Sequence, residues 1–216
     1  MKKLTILCIT ISSIFLFILN HCSTKSIELW NGKDFTGWKF VLENDSVDVN
    51  EVWSIQDGII HCKGIPNGYM RTESDYANYT LYLQWRWIEK ESNSGVLLHI
   101  QEPDKVWPNC IECQMRAGNA GNFVLMGSGA ITVDGETYTS TGRNISIGKK
   151  QESTENPVGE WNSYKIICQK DSITCYVNDI LQNEGTEASV SRGKIGLQSE
   201  GGPVEFRNIR LELLDS

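Results

Sequence analysis

The hexapeptide Ile111-Glu112-Cys113-Gln114-Met115-Arg116 reads as a strand with two unlike faces. Period-two alternation puts Ile111, Cys113 and Met115 on one side and Glu112, Gln114 and Arg116 on the other. The first set suits a core. The second is a row of carboxylate, amide and guanidinium, able to hold a hydroxylated ligand or move a proton. In the preceding strand, alternation places His99 with Leu97 and Gly95, opposite Val96, Leu98 and Ile100. With these strands as neighbours, His99 and Glu112 converge. An imidazole is a base near neutral pH, and a carboxylate can orient it or act as its acid partner. The plainer readings are a structural histidine and a solvated strand carboxylate.

Other polar positions carry weaker signals. Arg71 follows Gly68-Tyr69-Met70 and can clamp a carbonyl or hydroxyl, or form an ion pair. Trp107, in a loop, can stack on a sugar ring or pack inward. Asn119 lies in the Gly-rich Ala117–Asn122 stretch, which lacks the Gly-Lys-Ser/Thr of a phosphate cradle. Gly127-Ser128-Gly129 is too tight for a nucleophile elbow. Cys110 and Cys113 have a redox-like or zinc-like spacing, but no second pair follows at a matching interval, and the pair enters a strand. A turn centred between Asp171 and Ser172 sets Cys168 opposite Cys175, within reach of a disulfide, although the strained geometry of such pairs favours two packed free thiols. No cluster has metal-ligand spacing. The sequence requires no cofactor, although it leaves room for a divalent cation on an assembled carboxylate site.

Strands must position these residues. Trp53–Ile55 and Ile59–Cys62 flank Gln56-Asp57-Gly58 as a hairpin, and Tyr79–Trp87 alternates more clearly than any other segment. Further strands fall near Ile111–Met115, Ile131–Val133, Tyr164–Gln169, Ile173–Val177, Lys194–Gln198 and Val204–Leu214. No window of 12 or more residues shows a helical stripe. Many antiparallel strands in one domain imply an all-β fold of two packed sheets or a barrel; a two-sheet β-sandwich (jelly roll), one of whose outer faces can carry a ligand, accounts for the length. A net charge of −7 with no basic face argues against nucleic acid.

The first residues read differently. Lys2 and Lys3 precede an apolar run from Leu4 to Leu19, and Leu19-Asn20-His21-Cys22 resembles a lipoprotein box with two relaxed positions. This predicts a signal peptide over 1–21, a lipid-modified Cys22 with a short tether over 22–27, and one domain over 28–216. The chain is then held on a membrane of the bacterial cell envelope; a retained helix and soluble secretion are the alternatives. Oligomeric state is not legible.

Several segments together resemble the 3-keto-disaccharide hydrolase domain family, related in fold to concanavalin-like lectins and glucanases. They are Leu29–Trp38, Trp53–Gly58, Asn93-Ser94-Gly95-Val96, Ile111-Glu112-Cys113-Gln114, Gly159-Glu160-Trp161-Asn162 and Ile195–Ile209. Asn178-Asp179 departs from the usual Asn-Gly, at a connection. The resemblance implies a jelly roll, activity on sugars oxidised at C3, and His99, Glu112 and Gln114 as site residues. A C3 ketone acidifies the C2–H; a base removes that proton, the C1–O bond breaks by β-elimination, and water can add back. Such a route needs a base, enolate stabilisation and an acid near the leaving oxygen. His99 is expected as base and Glu112 as its partner, or the reverse. Gln114 and Arg71 are placed at the C3 oxygen, with Trp107, Arg116 and Asn119 on the sugar. A cation can share the enolate's charge. A sugar-binding lipoprotein and a protein-interaction module anchored by Trp107 and Tyr69 are the competing functions. An ordinary endoglucanase is disfavoured, because the strand supplies only one carboxylate.

Overall fold

The computed structural model describes residues 25–215, so the expected leader and Cys22 lie outside the described residues. In chain order the strands begin with β1 (Ser26–Glu28), β2 (Trp38–Leu42), β3 (Trp53–Gln56), β4 (Ile59–Cys62), β5 (Gly68–Thr72) and β6 (Tyr79–Trp87). Next come β7 (Gly95–Ile100), β8 (Cys110–Gln114), β9 (Phe123–Met126), β10 (Ala130–Val133), β11 (Glu136–Thr139) and β12 (Ile145–Ile147). The last are β13 (Asn162–Gln169), β14 (Ser172–Val177), β15 (Ile180–Gly185), β16 (Lys194–Ser199) and β17 (Val204–Leu213). A single helical turn, α1 (Val49–Val52), precedes β3 and is capped by the Asp48 side chain.

Alternation sorts these strands into two antiparallel sheets. One runs β15-β14-β13-β6-β17-β4-β3, with β1 also on β17; the other runs β12-β9-β8-β7-β16-β5-β2. A separate hairpin pairs β10 with β11. In β6 the row Leu81, Leu83, Trp85 and Trp87 is buried in the interior, where it meets Val96, Leu98, Ile111, Cys113 and Leu125 of the other sheet. Tyr82, Gln84 and Arg86, on the alternate row, are only half-buried. The Asp57-Gly58 turn between β3 and β4 takes positive φ at both residues, 52° and 77°, which suits the right-handed twist of a hairpin. The fold is therefore the two-sheet antiparallel β-sandwich of the jelly-roll kind. Ser26 and Ile27, which the tether was expected to include, pair instead with Glu212 and Leu211.

Two local expectations are corrected. Gln169 pairs with Ser172, so the β13–β14 turn is centred one residue earlier than expected, on Lys170-Asp171. Cys168 then faces Ile173 and Cys175 faces Ile166, while all five described cysteines are buried free thiols, the favoured reading of the pair. The second correction concerns β7. Lys194 pairs with Ile100 and Gly196 with Leu97, leaving Leu98 and His99 together opposite Ile195. His99 takes a φ of 55°, and this extra residue is a β-bulge. Past it the alternation reverses: Ile100 joins Leu97 in an apolar cluster on the outer face, while His99 turns into the sandwich.

There the imidazole is 1% exposed and meets the Tyr79 ring edge-on at 5.6 Å. Its Nδ1–H donates to the Val190 carbonyl (3.1 Å), and Nε2 has no partner. Burial pushes its pKa down to about 4, against the pull of the Val190 carbonyl. An unfolded chain regains a value near 6.5, so it binds this proton between pH 6.5 and 4 while the folded chain does not. The stability that follows is complete above the unfolded value and is lost as pH falls through that window. Urea unfolding at stepped pH should show a loss of up to about 3 kcal/mol from this residue. His99→Gln should flatten the acid slope by a similar amount; an unchanged slope would place the histidine in contact with water.

Candidate functional site

The outer face of the seven-stranded sheet holds the polar row expected around residue 112. Glu112 sits in β8, opposite Leu97 of β7 and Val124 of β9. Next along the strand, Gln114 lies opposite Gly95. A glycine there is a spatial requirement, since a Cβ on residue 95 would stand 1.9 Å from Glu112 Oε1 and 2.6 Å from its Cδ. The missing side chain is the slot into which the carboxyl folds.

That carboxyl is unusual. Glu112 is 2% exposed, and its Oε1 has no hydrogen-bond partner. Burial, aided by the charge of Glu200, raises its pKa well above the ordinary carboxylate range, which favours the neutral acid. It lines a groove of about 350 Å³ together with Asn93, Trp107, Gln114, Arg116, Asn119, Gln198 and Glu200. Asn122, Asn144 and Ser146 complete one flank. Two further acceptors in this groove are also buried and unpartnered, Asn93 Oδ1 and Gln198 Oε1. The Gln114 side-chain Oε1 is already occupied, accepting from the backbone N–H groups of Met115 and Arg116 (both 2.9 Å), which leaves its NH₂ to face a ligand.

Glu200 supplies the second carboxylate that strand alternation around residue 112 lacked. It follows β16 in the turn Glu200-Gly201, where Asn93 bridges to both residues. Burial raises its pKa, while the Asn93 side chain and the Arg116 charge oppose that rise. Two carboxyls thus share one groove, one deeply buried and the other shallower and beside a cation. Titratable groups in such unlike surroundings can divide into acid and base.

The remaining expected residues separate into those at the groove and those behind it. Trp107, Arg116 and Asn119 reach it; His99 does not, for the reason given by the bulge. Arg71 does not line it either. Its guanidinium is locked to Asp104 by two hydrogen bonds (2.8 and 2.6 Å) and donates to the Thr72 carbonyl. Beside it the Tyr69 hydroxyl donates to the Lys105 carbonyl (3.0 Å). The two side chains pin the 101–109 loop onto the sheet, and that loop carries Trp107, which is 40% exposed. On the opposite bank, Gly121 N–H donates to the Tyr164 hydroxyl (2.7 Å), which in turn donates to the backbone carbonyl of Gln114. Tyr164 belongs to the other sheet and stacks on Trp85 at 4.7 Å, so the Arg116–Asn119 loop is clipped from the core. Among the described residues no cluster of three or more His, Cys, Asp or Glu could hold a metal ion.

Residues 25–212 match the family described as the 3-keto-alpha-glucoside-1,2-lyase-like domain. The chain belongs to this family. The 3-keto-alpha-glucoside-1,2-lyase-like assignment makes it a carbohydrate-acting enzyme. A curated relative, the 3-keto-disaccharide hydrolase of Bacteroides thetaiotaomicron, is 24% identical across 88% of this chain and 78% of its own length. A Parabacteroides distasonis structure provisionally assigned as a glycosyl hydrolase aligns with a TM-score of 0.65 and 23% identity, covering 88% of this chain and 94% of that one. The β-glucanase of Bacillus licheniformis aligns at 0.57 with 13% identity, over 89% and 98% of the two chains. At these identities the solved structures speak for the shared sandwich.

Asn93, Gln198 and Glu200 were not singled out from sequence as site residues, though all three lie in the segments that carried the family resemblance. Gln198 and Glu200 also follow period two from Gly196. If the slot at residue 95 confines the Glu112 carboxyl, Gly95→Ala should destabilise the fold by roughly 1–3 kcal/mol in urea unfolding. Adding Glu112→Ala should then recover part of that loss. Strict additivity of the two substitutions would show that the groups do not compete for one space.

Proposed function

We propose that the groove cleaves the glycosidic bond of 3-keto-glycosides by C2 proton abstraction and β-elimination. The observation that carries this reading is the buried, unpartnered Glu112 carboxyl facing Glu200 across a groove otherwise built from amides. Glu200, ionised beside Arg116, is the base that takes the C2 proton. As it does so, the C2–H electrons form the enolate with the C3 oxygen. A neutral Glu112 donates a hydrogen bond where negative charge grows, or passes its proton to the leaving oxygen as the C1–O bond breaks. The NH₂ groups of Gln114 and Gln198 add donors for the sugar oxygens, and Trp107 offers an indole face to the ring. Such donors act strongly because they sit on fixed strands and need no rearrangement as charge develops. His99, set within the sandwich, has no part in this scheme, and Arg71 acts through the loop it holds.

The chemistry selects the substrate. Without a C3 ketone the C2 proton is far too weakly acidic for a carboxylate, so unoxidised glycosides should persist. The test pairs a glucoside with its 3-keto counterpart and follows both by mass spectrometry. Only the ketone should be consumed, giving an unsaturated product if water does not add and a hydrated one if it does. Glu200→Gln and Glu112→Gln should each lower kcat/KM by at least about 100-fold. Equal cleavage of both glucosides, or full activity in both variants, would overturn the assignment.

We also propose export and lipid anchoring at Cys22, supported by Lys2, Lys3 and the apolar run before Leu19-Asn20-His21-Cys22. Cys22→Ala should release the protein from the membrane fraction and abolish incorporation of labelled palmitate; retention on the membrane would favour an uncleaved helix.

A further inference from the structure

The groove does not end at Arg116. A second depression of about 420 Å³ adjoins it, sharing Asn93 and Arg116 and floored by Ser92 and Ala117. A third, of about 410 Å³, shares Glu91 and Ala117 with the second and is walled by Trp87, Glu155 and Pro157. The three form one track, leading from the outer face of the seven-stranded sheet over its rim toward the β6 end of the opposite sheet.

The ridge beside this track is held as if to stay low. Glu155 Oε2 accepts from the Gly118 N–H (2.5 Å) and from the Ser153 hydroxyl (2.9 Å), and Lys149 donates to the Gly118 carbonyl. Gly118 itself has a φ of 77° and open space where a side chain would be. The far end of the track also has an unmet need. Glu155 Oε1 is buried without a hydrogen-bond partner, and burial holds the carboxyl above its ordinary pKa. The exposed Pro157 beside acceptor and amide groups suits the mixed surface of a sugar ring, which presents C–H on its faces and hydroxyls at its edge.

We propose that this track is a second glycoside-binding subsite, which receives the part of an oligosaccharide lying beyond the ring held at Glu112. It rests on the reading of the main groove as a sugar site but not on elimination chemistry. The preferred ligand is then longer than a disaccharide. A sugar hydroxyl donates to Glu155, the following unit lies against Pro157, and Glu91 edges the passage between the two subsites.

Binding of unoxidised glycosides, which the proposed reaction leaves intact, separates this inference from the catalytic one. Isothermal titration calorimetry would compare methyl glucoside, gluco-disaccharides and gluco-trisaccharides of matched linkage. Wild-type protein should bind the best trisaccharide at least 10-fold more tightly than the best disaccharide. Glu155→Gln should shrink that ratio, and Glu91→Trp, an exposed position at the passage, should bring it close to one. Circular dichroism melts of both variants establish that they are folded. A Kd that does not fall with chain length, a ratio preserved in both folded variants, or no binding at any length would overturn the subsite. A length-dependent Kd in a protein that fails to cleave 3-keto-glucosides would leave the subsite standing and sink only the elimination mechanism.

Discussion

A carboxyl group taken out of water without a partner costs about 1–3 kcal/mol even when neutral, and considerably more if it is charged. The sandwich accepts that penalty at Glu112, and much of the surrounding architecture follows from accommodating it. The side chain needs a vacant position on the neighbouring strand, which Gly95 supplies. It needs a rigid floor, which comes from β8 lying between β7 and β9 above a packed interior. It also needs walls that keep bulk water shallow. Those walls are two loops, each fastened by a side chain from elsewhere in the fold: Arg71 with Tyr69 on one bank, Tyr164 on the other. Residues that never meet a ligand therefore decide how acidic the groove is.

The division of labour between the sheets is correspondingly uneven. The eight-stranded sheet gives hydrophobic mass, with Trp53, Trp85 and Phe206 fully buried against the other layer. The seven-stranded sheet gives up part of its outer face to polar groups that pack poorly. Tyr164 connects the two roles. Its ring stacks on Trp85 while its hydroxyl crosses to the backbone at Gln114 and Gly121, so tight packing in one layer is converted into exact placement of a loop on the other. Fixed donors of this kind stabilise developing charge because they are already oriented when it appears.

Local pattern was a good guide wherever strands ran without interruption. The hairpin around Asp57-Gly58, the two rows of β6 and the outward direction of Glu112, Gln114 and Arg116 all followed from period two and turn chemistry. The failures came where one residue changed the count. Nothing between Val96 and Ile100 announces a bulge; it is the pairing with β16, and space beside Tyr79, that lets His99 turn inward. Likewise Cys168 and Cys175 differ from direct partners by a shift of two in register, which several polar turns could have produced. Glu200 escaped notice because it stands past the end of a strand, where only the approach of Asn93 across the rim brings it to Glu112. Short strands such as β5 and β9 have too few residues for alternation to register. Arg71, at the buried centre of one of them, reads as a ligand clamp until its bidentate partner in a distant loop is seen.

The pairing of β1 and β17 has a consequence for the order in which the molecule can assemble. The last strand in chain order does not sit at an edge; it fills the place between β6 and β4 while also receiving β1. Until those final residues are available, the larger sheet is two fragments with an open gap and unsatisfied backbone on both sides. A growing or translocating chain therefore cannot complete its core domain piece by piece. It must wait for its own end, with its most distant contacts formed last, which is the slow regime of folding. If the proposed export leader is present, such a delay keeps the chain threadable until nearly all of it has been made.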